Sequence, residues 1–112
     1  MAINNDLFKG TLQTIILKLL AENERMYGYE ITQKVKQITK GDLLLKEGAL
    51  YPTLHKLESD GLLETSTMVV DNRLRKYYAL SENGEVEVLN KLQEAKNFIH
   101  NLELLLNFKP SF

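Results

Sequence analysis

Apolar residues recur at helical spacing from the start of the chain: Leu7, Phe8, Leu12, Ile15, Ile16, Leu19 and Leu20. This predicts a helix over residues 7–21 with Asp6 as its N-cap. The stripe is wider than one buried face needs, so one side can meet the domain and the other a partner. After a break at Asn23–Met26, Tyr27–Thr39 reads as a second helix. Tyr29, Ile31, Val35 and Ile38 form its apolar side, Lys34, Lys36 and Lys40 its exposed side. Gly41-Asp42 supplies its C-terminal glycine and turn. The short apolar run Leu43–Leu45 is a small strand or a buried turn. Residues 47–60 form a third helix on Leu50, Leu54 and Leu57, stopped by Gly61. Pro52 is tolerated there only near the helix start or with local distortion.

The period then changes. Residues 62–80 are rich in β-branched side chains, hold the turn pair Asp71-Asn72 and return through Tyr77-Tyr78. They predict a β-hairpin with a basic tip and second strand. Ser81 caps a last helix, with Glu82 and Glu85 in its first turn. In it Val88, Leu92, Ala95, Ile99, Leu102 and Leu106 make a heptad seam. Asn107 to Phe112, with Pro110, is a tail.

Three helices, a hairpin and one long helix is the order of a winged helix-turn-helix with a C-terminal dimerisation helix. The fold class is mainly α with a small β-hairpin. Residues 1–80 form the winged domain with its N-terminal helix, 81–107 the dimerisation helix and 108–112 the tail. A long amphipathic helix on so small a domain cannot bury its whole stripe at home. A second copy is the economical cover, and two-fold symmetry the usual result.

Composition narrows the function. With no cysteine, disulfides and thiolate metal sites are excluded. No apolar run is long enough to span a membrane. The first residues hold Asp6 and no basic cluster, so no signal peptide is expected and the default location is the cytoplasm. The net charge is −1. It is unevenly spread: residues 1–80 carry 11 basic and 10 acidic side chains, residues 81–112 carry 3 and 5. Arg73, Arg75 and Lys76 are the densest basic cluster. Phosphate-binding glycine loops, metalloprotease motifs and nucleophile elbows are absent, so neither an enzyme nor a cofactor is expected. His55 and His100 lack metal or catalytic companions and read as surface or interface residues, and Glu85, Glu87 and Glu94 as a solvated helix face.

Three stretches resemble one known family. They are Gly28-Tyr-Glu-Ile31, the block Glu47-Gly-Ala-Leu-Tyr-Pro-Thr-Leu-His-Lys-Leu-Glu-Ser-Asp-Gly-Leu-Leu63, and Arg75-Lys-Tyr-Tyr-Ala-Leu-Ser-Glu-Asn-Gly84. Each resembles a motif of the PadR-like transcriptional regulators, in family order, and Gly10-Thr-Leu12 resembles the family's opening. The likeness covers residues 7–107 and is closest to the subfamily with a single C-terminal helix. Two departures are the wing tip Val70–Leu74, which lacks a Gly-Pro loop, and Ser81, where threonine is usual.

The resemblance implies a repressor or activator that binds double-stranded DNA as a homodimer at an inverted repeat. A recognition helix reads bases with its N-terminal residues. Its candidates are Lys46, Glu47, Gly48, Ala49, Tyr51, Thr53 and Lys56; half-buried packing is the alternative for Tyr51, a solvated face for the lysines. Gly48 and Ala49 are small enough for close approach. Arg73, Arg75 and Lys76 are the wing candidates, with Arg73 and Arg75 on one face by strand alternation. Tyr77 and Tyr78 are expected beneath the wing. The expected dimer interface is Leu12, Ile15, Val88, Leu92, Ala95, Ile99, Leu102 and Leu106. A small apolar or aromatic effector is expected among Phe8, Leu12, Ile15, Phe98 and Ile99. The competing function is a winged-helix module that binds protein instead of DNA, supported only by the slight acidic balance.

Overall fold

A computed structural model describes residues 10–107. The elements are α1 (Leu12–Glu22), β1 (Met26–Tyr27), α2 (Gly28–Ile38), α3 (Glu47–Ser59), β2 (Leu63–Val70), β3 (Arg73–Leu80) and α4 (Glu82–Leu106). The expected helix start over residues 7–9, with Asp6 as cap, lies outside the described residues. So do Phe8 and the tail after Asn107.

The helices end where local chemistry stops them. Beyond α2, Gly41 N–H donates to Lys36 and Lys40 N–H to Gln37. The same pairing closes α3, where Leu62 donates to Leu57 and Gly61 to Glu58. Both are left-handed C-terminal caps; the capping residue is Gly61 (φ +79°) after α3 but Lys40 (φ +52°) after α2, with Gly41 following it. Pro52 lies inside α3, at its sixth residue, rather than at its start. Leu43–Leu45 forms neither the strand nor the buried turn expected: it is irregular, with Leu45 buried, Leu43 half-buried and Leu44 exposed.

The sheet has three strands, in the order β1-β3-β2, all antiparallel. The hairpin expected over 62–80 thus gains a partner. Met26 pairs with Tyr78 and Tyr27 with Tyr77. Tyr27, a helix start by its periodicity, is a strand residue because β3 offers it a free edge. The edge beyond Tyr77 stays uncovered, since β1 has only two residues.

One core joins everything. Ile16 and Leu17 of α1 pack with Ile31, with Leu50, Leu54 and Leu57 of α3, and with Met26, Leu63 and Tyr78 of the sheet. Leu12 and Val88 belong to it as well, at 2% and 3% exposure. Both were expected on the partner-facing seam. They are instead spent inside the chain, because the first turns of α4 lie across α1. Ile15 and Leu92 pack half-buried against the same core.

Past Phe98 the long helix runs beyond the other described elements. Phe98, Ile99, Leu104, Leu105 and Leu106 are exposed, as are Val86 and Leu89 nearer its start. Ser81 fixes the direction of departure. Its hydroxyl donates to the carbonyl of Gly61 at 2.6 Å and accepts from Gly84 N–H at 3.0 Å. Its own N–H donates to Leu62 at 3.0 Å.

Candidate nucleic-acid interface

The outward face of α3 carries Glu47, Gly48, Tyr51, Pro52, His55, Lys56 and Ser59, all exposed. This follows from the buried positions Leu50, Leu54 and Leu57, which fix the rotation of the helix. Two expected contacts fall away from it. Ala49 packs against the core, and Thr53 is half-buried with its hydroxyl donating to the Ala49 carbonyl at 2.8 Å. Both lie on the flank adjoining Leu50 and Leu54. Lys46 is exposed at the N-cap. Lys56 pairs with Asp60 at 3.2 Å.

Between this face and the hairpin runs an open cleft of about 750 Å³. Tyr51 and His55 line it from α3, Arg73 to Lys76 from β3, and Tyr27 and Tyr78 from its inner end. Strand alternation divides the cations. Arg73 and Arg75 share a face, as expected, while Lys76 turns to the other side. There its amino group pairs with Glu58 at 3.5 Å and lies 5.3 Å from the Tyr78 ring centre. Such half-exposed pairs are weak and open to exchange for another anion.

Arg75 is held by stacking. Its guanidinium lies 4.0 Å over the Tyr27 ring. Tyr27 meets Tyr77 edge-on, with ring centres 5.5 Å apart, and Arg25 covers Tyr77 at 4.6 Å. The result is a ladder of two guanidiniums and two tyrosines on the outer face of the sheet. Hydrogen bonding with the Tyr77 side chain is the main reason the Arg75 pKa is raised. The cation is therefore secure in charge and aimed by its neighbours.

The ladder explains two of the motif residues. Glu30 Oε1 accepts the Tyr27 N–H at 3.0 Å, fixing the residue on which Arg75 rests. Gly28 leaves room for the Tyr51 ring, which occupies the place of a side chain there. Tyr51 is thereby both half-packed and available at its edge. Tyr27, Arg25 and Tyr77 carry no cleft signal in the one-dimensional pattern. Only the pairing of β1 with β3 brings them together. His55 enters the cleft because it stands one turn after Tyr51.

Residues 16–91 match the model of the transcriptional regulator PadR-like family. The chain belongs to the PadR-like family of transcriptional regulators. It is 34% identical over 101 residues to protein X of Lysinibacillus sphaericus, covering 87% of this chain and 92% of that one. It is 41% identical over 76 residues to the transcriptional regulator Rv3488 of Mycobacterium tuberculosis, covering 68% and 67%. The crystal structure of a PadR family regulator from Eggerthella lenta superposes with a TM-score of 0.79 at 25% identity, over 93% of this chain and 88% of that one. PadR-like proteins are regulators, not enzymes, and the fold here is their winged helix. By its place in that fold, α3 is the third helix of the winged helix and the β2–β3 hairpin is its wing. No helix among the described residues is long and apolar enough to cross a membrane.

Proposed function

We propose that this PadR-like regulator is a sequence-specific repressor that binds double-stranded DNA as a homodimer. The observation that carries the reading is the cleft. Its walls are a recognition helix and a wing, and its cations, Arg73 and Arg75, are forked donors suited to phosphate. Glu47, Gly48, Tyr51 and His55 face outward for contact in the major groove; Lys46, Lys56 and Lys76 sit at its margins.

The exposed apolar half of α4 supports the dimer. Ala95, Ile99, Leu102 and Leu106 remain available for a second copy, and Phe98 and Leu105 extend the seam. Val88 and Leu92 contribute to the domain core instead. A two-fold dimer would place its recognition helices about one turn apart on an inverted repeat. We propose that it does this work in the cytoplasm, with its operator.

A groove of about 350 Å³ between the start of α1 and α4 supports the effector role. Thr14, Ala95 and Phe98 line it. Of the residues expected to line it, Phe98 does so; Leu12 is buried in the core, Ile15 packs against that core, and Ile99 is exposed outside the groove. A small apolar or aromatic molecule held there would act by preferring one separation of the two DNA-reading units.

The test is an anisotropy titration of a labelled duplex from upstream of the protein's own gene, at two salt concentrations, beside a random duplex. The expected result is tighter binding to the upstream duplex, weakened by salt and by alanine at Arg73, Arg75 and Lys76. Absence of salt-sensitive binding to any duplex, with the dimer intact, would overturn the proposal.

A further inference from the structure

Two patches outside the cleft each set exposed aliphatic side chains among charges of one sign. The first is on α4. Glu82, Glu85, Val86 and Leu89 recur at i, i+3, i+4 and i+7, so they share one face. Val86 and Leu89 are 63% and 67% exposed. The face lies beside the stripe of Gly84 and Val88, which is buried. A groove of about 490 Å³ runs between it and the end of α1; Leu80, Leu89, Glu24 and Glu85 help to line it. The last turn of α1 holds no basic residue, so its carbonyl end adds to the negative field.

The second patch is at the end of α2. Outside α4 and the wing, Ile38 and Leu44 are the exposed large aliphatic residues among those described. The Thr39 hydroxyl accepts the Leu43 N–H at 3.0 Å, which folds the following loop back onto the end of α2. Lys34 stands one turn before Ile38, and Lys40 follows it. Residues 31–46 hold four lysines and a single carboxylate, Asp42.

Neither set of charges is answered within the chain. Among the described residues, no ion pair engages Glu24, Glu82 or Glu85, nor Lys34, Lys36 or Lys40. Glu22, at the groove, is the carboxylate there that is paired, with Lys18.

We propose that the two patches are the halves of one interface between copies of this chain. Ile38 and Leu44 of one copy seat in the groove between α1 and α4 of another, with Lys34 and Lys40 against Glu24, Glu82 and Glu85. Apolar burial drives the contact, and the opposite charges orient it. Pairing either patch with itself would bring like charges together, so the contact is head-to-tail. Such a contact leaves one free patch of each sign and can continue to a further copy. It is separate from the seam on Ile99 and Leu106, and it does not depend on DNA binding. It therefore joins the units that α4 forms into larger assemblies.

The test is sedimentation equilibrium of the 112-residue chain over a range of concentrations, at low and high salt. The mean mass should rise with concentration beyond the unit set by α4, and less so in high salt. Glu82→Lys/Glu85→Lys and Lys34→Glu/Lys40→Glu should each weaken this step by about tenfold. Leu89→Ala should weaken it by about fivefold. The chain carrying all four charge reversals should regain the wild-type association, which a merely misfolded variant could not do. Circular dichroism checks each fold. A wild-type mass that stays at the α4 unit at every concentration overturns the inference. So does a four-fold variant that fails to recover. So does a reversal that breaks the α4 unit itself, which would put the patches in that seam.

Discussion

The Tyr51 ring stands where a side chain on residue 28 would be: a Cβ built on Gly28 lies 2.9 Å from Tyr51 Cζ and closer still to the hydroxyl. The start of α2 and the outward face of α3 are thus set against each other through one missing side chain.

Gly28→Ala should therefore destabilise the protein, although alanine is the better helix former. The expected cost is about 1–3 kcal/mol from overpacking, read as a lowered urea midpoint. Adding Tyr51→Leu should cost less than the sum of the two single changes. Additivity would show that the two residues do not share the space.

Tyr27→Leu should weaken DNA binding because it removes the surface under Arg75. Stacking of this kind contributes about 0.5–1 kcal/mol at an exposed site, so a several-fold loss in affinity is expected. In an Arg75→Ala background the same change should have little further effect. A full, independent loss in the double variant would mean that Tyr27 acts by some other route.

Ser81 joins three partners at the root of α4, so Ser81→Ala should cost about 1–2 kcal/mol in thermal or urea unfolding. Ser81→Thr keeps the hydroxyl and should be close to neutral. Gly84→Ala should be worse than either, because its Cβ would meet the Leu62 carbonyl, a backbone group that cannot turn aside.

Burial raises the pKa of Tyr78 above the ordinary tyrosine value, outweighing the opposing effect of Lys76. The folded state then holds this proton more tightly than the unfolded chain. Its contribution to stability is complete below about pH 10, the unfolded value. It is lost as pH rises from there through the folded value. Tyr78→Phe should flatten this alkaline decline in urea midpoints against pH; an unchanged slope would place its origin elsewhere.

The periodicities of the chain were sufficient for the helices, the hairpin and their order. A helix must place its apolar residues on one stripe and a half-buried strand on alternate positions, and both patterns are written locally. For the same reason Leu50, Leu54 and Leu57 marked the core side of α3, and alternation put Arg73 and Arg75 together. Three motif blocks in order made the PadR-like resemblance legible as well.

Tertiary structure decided everything that depends on non-local contact. It drew Tyr27 out of a helix and onto β3, which built the tyrosine–arginine ladder under the wing. It turned Ala49 and Thr53 away from the cleft and brought His55 into it. It also divided the expected α4 seam, drawing Val88 into the domain core and leaving Ile99 and Leu106 exposed. A heptad records that a residue is apolar and on one side of its helix; which surface covers it depends on where α1 lies, and that is fixed only when the chain has packed.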